Sequence, residues 1–230
     1  MKLTDTQIQN LYKFTKQHYV EYYDLQTELV DHLANDIETM WLSQPQLSYE
    51  GAKNKAFKKF GVFRFMSVIE KHQKTMSKRY RKYLWRHLKE WFEIPQIITT
   101  VVIFVSFYTL FSLEISPYIF IALLILIGIV TTRKEWITKK DFKKRNEKSS
   151  KKWLLQNIIF QNASSGIGIF FLNIFSLQFS QKYLFFNEIT ILMTAFVFTF
   201  MVLWLYVSCW VLPKQANQLL NETYPEYNLA

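Results

Sequence analysis

The stretch PQIITTVVIFVSFYTLFSL, residues 95–113, decides the fold class of this 230-residue chain. Its 19 residues carry no charged side chain, and a helix of about 20 apolar residues crosses the roughly 30 Å hydrocarbon core of a bilayer. Three further stretches share this character, residues 115–132, 153–179 and 189–212. We therefore predict four transmembrane helices, of which the first two form a hairpin with its corner at Glu114.

Basic residues predict which way these helices cross the membrane. Residues 51–94 carry 13 Lys/Arg and the 133–152 loop carries 10, whereas the loops near 114–116 and 180–187 share only Lys182. Because Lys and Arg accumulate on the cytoplasmic side, we expect both termini and the 133–152 loop to lie in the cytoplasm. The first residues lack the apolar core of a signal peptide, so we expect the first span to direct insertion into the inner (plasma) membrane.

The segment before the first span, residues 1–75, has the periodicity of a small helical domain. A capping box at Thr4 predicts the start of a first helix. Apolar residues at three-to-four spacing predict a second helix near Tyr22 to Leu42. Ser48 and Gly61 have the positions of an N-terminal cap and a C-terminal glycine around a third helix.

Charge divides this cytoplasmic half. Residues 1–50 hold eight acidic and three basic residues, a net charge of −5, whereas residues 51–94 have a net charge of +10. Residues 76–94 mix basic and aromatic side chains, which is typical of an amphipathic helix at a membrane interface. We expect this helix, and the 133–152 loop, to rest on an anionic inner leaflet. Since the positive-inside rule already accounts for the charge, we expect no direct nucleic-acid contact. Residues 213–230 form a cytoplasmic tail.

Few residues in this chain could carry chemistry. The four predicted spans contain no Asp, Glu, Lys, Arg or His, which argues against proton relays and haem ligation. One cysteine excludes a disulfide framework. Glu28, His32 and Asp36 share a helix face, but they span about 12 Å, too far for one metal ion. We expect His32 to pair with Glu28 or Asp36 instead, and we predict no enzymatic activity, no cofactor and no metal site.

The third predicted span is more polar than the others. Small and polar residues let membrane helices approach closely and form hydrogen bonds to one another. We interpret this polar face as packing against the sibling helices, and a ligand pocket or a seam with a partner protein is the alternative. The face includes Gln161, Asn162, Ser164, Ser165 and Gly166.

Three motifs in the head resemble those of a known family. ELVDHL at residues 28–33, LSYEGA at 47–52 and KFG at 59–61 resemble the HAAS domain, a small α-helical signalling domain of bacterial membrane proteins. The resemblance covers roughly residues 20–65 and implies a regulatory role without enzymatic activity. It implies that the characteristic positions of the head are Glu28, His32, Ser48 and Gly61, with His32 forming a hydrogen bond between helices.

We therefore predict an all-α protein with a small cytoplasmic helical head followed by a four-helix transmembrane bundle. The expected function is that of a non-enzymatic regulatory or signalling adaptor whose head binds a protein partner. A structural accessory subunit of a larger membrane complex is the first alternative, and a neutral-solute permease is the second. The sequence leaves open whether the partner is cytosolic, a membrane protein or, in a homo-oligomer, a second copy of the chain.

Overall fold

The computed structural model describes residues 2–60, 65–149, 151–163, 187–224 and 227. Across these residues the secondary structure is helical and contains no β-strand, which confirms the all-α class. The chain divides into two compact units, and each unit combines two separate pieces of sequence. Unit 1 comprises Met1–Lys78 with Ser149–Asn157, and unit 2 comprises Arg79–Lys148 with Ile158–Ala230.

Unit 1 is built from three short helices and the first part of a long one. These helices are α1 (Asp5–Gln17), α2 (Tyr23–Ser43), α3 (Tyr49–Lys59) and α4 (Met66–Glu90), which continues into unit 2. The predicted capping box at Thr4 is confirmed, because Thr4 accepts the N–H of Gln7 and the Gln7 side chain accepts the N–H of Thr4.

The core of unit 1 forms around the apolar stripe of α2. Leu29, Leu33 and Ile37 are fully buried, as three-to-four spacing requires of the inner face of a helix. The small residues Ala52 and Ala56 of α3 are also fully buried, and their size allows α3 to approach closely. Leu11, Leu25, Trp41 and Phe65 complete this core.

Unit 2 contains the apolar helices. It comprises the end of α4, α5 (Gln96–Phe111), α6 (Ser116–Lys148), most of α7 (helical residues 154–163), α8 (Glu188–Tyr206) and α9 (Ala216–Thr223). A π-helical turn, Val207–Val211, and the short helix Leu212–Lys214 follow α8. Phe111, Phe120 and Phe198 bring α5, α6 and α8 together, with ring centroids 5.5 to 5.7 Å apart.

Two helices of the described part are long and apolar enough to cross a membrane, Ser116–Glu147 and Glu188–Lys214. In their most apolar windows only 22% and 28% of the residues are buried. The apolar helix α5 has 16 residues, fewer than the predicted span at 95–113. Much of the predicted span at 153–179 lies outside the described residues, so the four-helix bundle stays a prediction.

One boundary differs from the prediction. The second span was expected to end at residue 132, but α6 continues for another 16 residues to Lys148. Residues 133–148 contain no Gly or Pro and are rich in Lys, Glu and Arg, which are good helix formers. The change from apolar to basic sequence therefore leaves the helix intact.

Candidate functional site

In unit 1 a histidine lies between two carboxylates. His72 Nε2 is 3.0 Å from Asp24 Oδ2, and His72 Nδ1 is 2.5 Å from Glu28 Oε2. Ionised carboxylates only accept hydrogen bonds, so a ring that serves both must carry a proton on each nitrogen. The geometry is therefore that of an imidazolium held between two anions.

Helix geometry places these three groups together. Asp24 and Glu28 are four residues apart on α2 and so share one face, and His72 lies in the second turn of α4. The Asp24 side chain is 3% exposed, that of His72 12% and that of Glu28 36%. Burial lowers the pKa of His72, but the hydrogen bonds and negative charges of Asp24 and Glu28 outweigh it and raise this pKa above its ordinary value.

Asp24 also binds a distant part of the chain. Its second carboxylate oxygen, Oδ1, accepts the N–H of Leu154, the first residue of α7, at 3.2 Å. The N–H of Tyr23 donates to the carbonyl of Lys152 at 2.7 Å. A carboxylate at a helix N-terminus satisfies an amide that the helix itself cannot pair. Asp24 therefore binds α4 with one oxygen and α7 with the other.

The residues before Leu154 hold this position through three further contacts. Lys152 Nζ lies 3.3 Å from Glu21, the Lys151 ammonium lies 4.3 Å from the centre of the Tyr23 ring, and Trp153 packs edge-on against Tyr23 at 5.4 Å. Residues 151–154 are thus bound to the N-terminal end of α2. We call the group formed by His72, Asp24, Glu28 and residues 151–154 the junction.

The chemistry of the junction is that of a proton-binding ion cluster. Within the described ranges, no group of three or more His, Cys, Asp or Glu side chains could hold a metal ion. The carboxylates of Asp24 and Glu28 both pair with the imidazole. The junction can therefore hold a proton on His72 between the two carboxylates.

The structure corrects the expected partner of Glu28. Glu28 pairs with His72 and not with His32. Asp36 pairs with Lys59 of α3 at 2.7 Å, whereas His32 is exposed and has no hydrogen bond or ion pair among the described residues. The expected pairing of His32 with Glu28 or Asp36 is therefore wrong. The i, i+4 spacing brings the residues to one face, but the acids turn to cations on other helices.

The other residues of the head motif have separate positions. The Ser48 hydroxyl accepts the N–H of Gly51 at 3.2 Å and caps α3, as predicted. Gly61 lies outside the described residues. His32 presents its ring on the exposed face of α2, where it is available to a partner.

The polar face of the third predicted span is described only at its start. Gln161 and Asn162 are exposed at the end of α7. The Asn162 side-chain amide donates to the carbonyl of Ile158 at 2.9 Å. Ser164, Ser165 and Gly166 lie outside the described residues, so the proposed packing seam stays a prediction.

The basic end of α4 packs against protein in unit 2. Tyr80 shares a buried hydrogen bond of 3.0 Å with Ser208, and Tyr83 one of 3.0 Å with Thr223. Arg86 pairs with Glu222 at 3.2 Å. One face of the predicted interfacial helix is therefore covered by the C-terminal segment, and the opposite face exposes basic residues and Trp85.

A groove of about 210 Å³ lies between α5 and α8 in unit 2. Its two polar residues, Thr100 and Thr199, donate their hydroxyls to backbone carbonyls. The remaining lining is apolar, from Phe92, Ile97, Val101, Phe104, Phe196, Phe200 and Leu203. The groove therefore offers no polar group for chemistry, and the junction is the better candidate site.

Comparisons of this chain with protein-family models, with curated proteins and with solved structures find no match. The likeness to the HAAS domain stays a prediction based on its motifs.

Sequence reasoning identified Glu28 but missed Asp24 and His72. The two acids lie 48 and 44 residues before the histidine, and His72 lies within a run of lysines that predicts a membrane surface. Asp24 carried no signal of its own, since helical spacing places it on the polar face of α2, with Glu28 and away from the apolar stripe. Its burial comes from α4 and residues 151–154, which are distant in sequence.

Proposed function

We propose that this chain is a multi-pass protein of the inner membrane that acts as a non-enzymatic regulatory adaptor through a cytoplasmic head. The observation that carries the proposal is which segments of the chain form unit 1. The head includes residues 149–157, which cover the end of the loop after the second apolar stretch and the first residues of the third, 153–179. A head built in this way is bound to a segment that leads directly into a predicted span.

Exposed apolar surface supports the membrane location. On α6, Ile125, Leu126 and Ile129 are all more than half exposed, and on α8 so are Ile189 and Val197. Monomeric soluble proteins rarely expose apolar patches larger than a few hundred Å². A bilayer would cover these faces without a further protein chain.

Contacts within each unit support an even number of crossings. In unit 1, Asp24 binds Leu154, so the two ends of the intervening chain lie on one side of any membrane. In unit 2, Tyr83 binds Thr223, which imposes the same condition on the chain between them. If the apolar stretches cross a membrane, each intervening stretch returns to the side from which it started. This favours α5 and α6 as a transmembrane hairpin and both termini on one side.

A regulatory role is favoured by the surface of the head. The exposed face of α2 presents Asp31, His32 and Asn35, which are not used to hold the head together. The junction lies on the same helix, so a protein bound to α2 would be coupled to residues 151–154. The partner we propose is a cytosolic protein, while the basic face of α4 rests on an anionic leaflet.

The test is affinity capture of the full-length protein from native membranes after mild crosslinking. The comparison is between wild type, a double variant on the exposed face of α2 (His32→Ala with Asn35→Ala) and a matched double variant on α1 (Lys13→Ala with Lys16→Ala). We expect a cytosolic protein that the α2 variant loses and the α1 variant retains.

The alternative role as an accessory subunit predicts a different result. If Asn162 faces another membrane protein, capture would recover membrane proteins that are lost from Asn162→Ala and unaffected by the α2 variant. That outcome would contradict the adaptor proposal and move the binding surface to the third span.

A further inference from the structure

We propose that the junction is a proton-controlled latch: protonated His72 holds residues 151–154 against α2, and loss of its proton releases them. The inference rests on the proposed function for its biological role, because it assigns regulation to the head. The latch itself is a physical property of unit 1, and it can be tested without any partner.

The first step of the argument concerns the imidazole. Both ring nitrogens of His72 face carboxylate oxygens, at 3.0 Å and 2.5 Å. A neutral imidazole has a single N–H, so one of the two carboxylates would then face a nitrogen lone pair. Deprotonation therefore breaks one hydrogen bond and removes the positive charge that lies between the two carboxylates.

The second step leads from the imidazole to residues 151–154. The carboxylate of Asp24 is held by His72 on one oxygen and by the Leu154 N–H on the other. Because the Asp24 side chain is 3% exposed, a positive charge beside it favours its ionised form there. When His72 becomes neutral, that positive charge is lost, and the position in which Asp24 accepts the Leu154 amide becomes less stable.

The third step concerns the other charged groups around the junction. Lys151 lies over Tyr23 and Lys152 pairs with Glu21, on the side of α7. On α4 itself, Glu70, Lys71 and Lys74 are exposed. Side chains of Lys, Asp and Glu ordinarily keep their charge between pH 6 and 9, whereas histidine ordinarily titrates near this range. His72 is therefore the group of the described junction that responds to pH.

The sign of the effect follows from the same contacts. Burial opposes the charged ring, but Asp24 and Glu28 raise the pKa of His72 above its ordinary value. A raised pKa in the folded state stabilises the junction fully below about pH 6.5, the ordinary histidine value. The stabilisation is lost as pH rises through the raised pKa. The latch is therefore closed below the ordinary histidine pKa and opens as the pH rises above it.

The experiment is hydrogen–deuterium exchange of the full-length protein in lipid nanodiscs between pH 6 and 9.5. Exchange of peptides covering residues 149–157 is corrected for the intrinsic pH dependence of amide exchange. We expect strong protection at pH 6, with a loss of up to about tenfold per pH unit above the midpoint, which is the limit for release of one proton.

Three variants assign the effect to the junction. His72→Gln should leave residues 149–157 weakly protected at every pH. Glu28→Gln removes one negative charge without touching Leu154, and it should lower the midpoint by about one pH unit. His87→Gln is the matched control, because His87 is also buried and lies 2.9 Å from a carboxylate, Glu90, in unit 2. It should keep the wild-type profile.

Any of three results would overturn the latch. The wild-type protection of residues 149–157 would be constant across the pH range, the midpoint of its pH dependence would be unchanged in Glu28→Gln, or that pH dependence would be lost in His87→Gln. If His72→Gln does not fold, the midpoint shift in Glu28→Gln still decides. If exchange of residues 149–157 does not depend on pH but a specific partner is captured, the latch is rejected and the adaptor role stands. If exchange depends steeply on pH but no partner is captured, the latch stands and the adaptor role is rejected.

Discussion

The two units of this protein bury their apolar residues in opposite ways. In unit 1 the apolar stripe of α2 is buried completely, and the outer faces are polar. In unit 2, α8 and the first half of α6 are apolar on all sides, and less than a third of their most apolar windows is buried. The first pattern is that of a water-soluble helical domain. The second is typical of helices that cross a bilayer.

The comparison also shows where the two kinds of sequence meet. The hydrophilic unit takes in residues 149–157, a segment that leads into the third apolar stretch. The residue that fixes this segment, Asp24, is at the same time the acceptor for His72. We infer that an ion cluster, and not apolar packing alone, determines how firmly unit 1 holds residues 149–157.

The largest effect should come from the core of unit 1. Leu29 is fully buried, so Leu29→Ala leaves a cavity and should destabilise unit 1 by about 4 kcal/mol. Ile125 on α6 is 58% exposed, so Ile125→Ala creates no cavity and should change stability by less than about 0.5 kcal/mol. Chemical unfolding in detergent, followed by exchange of peptides from each unit, measures both. Equal costs at the two positions would contradict the distinction between the units.

The next largest effect should come from Asp24. Asp24→Ala leaves His72 with one carboxylate and the buried Leu154 amide without its acceptor, and it should cost about 3 kcal/mol. Exchange should rise in residues 149–157 as well as in α2. The matched variant Asp31→Ala removes an exposed acid from the same helix and should cost less than about 0.5 kcal/mol. If both variants behaved alike, the junction would have no special role in holding the segment.

The smallest effect concerns a helix cap in each unit. Ser48 caps α3 and Asn187 caps α8, each through a hydrogen bond to the backbone N–H three residues on. Ser48→Ala and Asn187→Ala should each cost about 1 kcal/mol, the usual value for a cap in water. Unfolding of each unit by exchange provides the measurement. A much larger loss at Asn187 would place the start of α8 within the hydrocarbon and away from water.

Local patterns in the sequence were sufficient for much of the fold. The stripe of α2 and the caps at Thr4 and Ser48 were predictable because each depends on residues within one or two helical turns. The end of α6 was not, because the apolar stretch ends at residue 132, whereas the Lys and Glu residues that follow continue the helix to Lys148. The contacts that were not predicted join residues far apart in sequence, which local patterns do not report.

The candidate site was predictable only in part. Glu28 was identified by its motif, but its partner, His72, is 44 residues away. His72 was missed because it lies within a run of basic residues. The docking of residues 151–154 depends on a carboxylate that also serves α4, and no local pattern encodes such a shared acceptor. His32 shows the opposite error. Helical spacing suggested that it pairs with Glu28 or Asp36, but these acids pair with His72 on α4 and Lys59 on α3.

The most direct test of the account is cysteine labelling from each side of the membrane. In a Cys209→Ser background, single cysteines replace Leu42, Ser149 and Glu114, all exposed positions. A membrane-impermeant maleimide is applied to intact cells and to inverted vesicles. The account predicts that Leu42→Cys and Ser149→Cys react only in inverted vesicles, whereas Glu114→Cys reacts in intact cells. Labelling of Ser149→Cys from outside, or of Glu114→Cys from the same side as Leu42→Cys, would contradict a cytoplasmic head that holds the chain between spans.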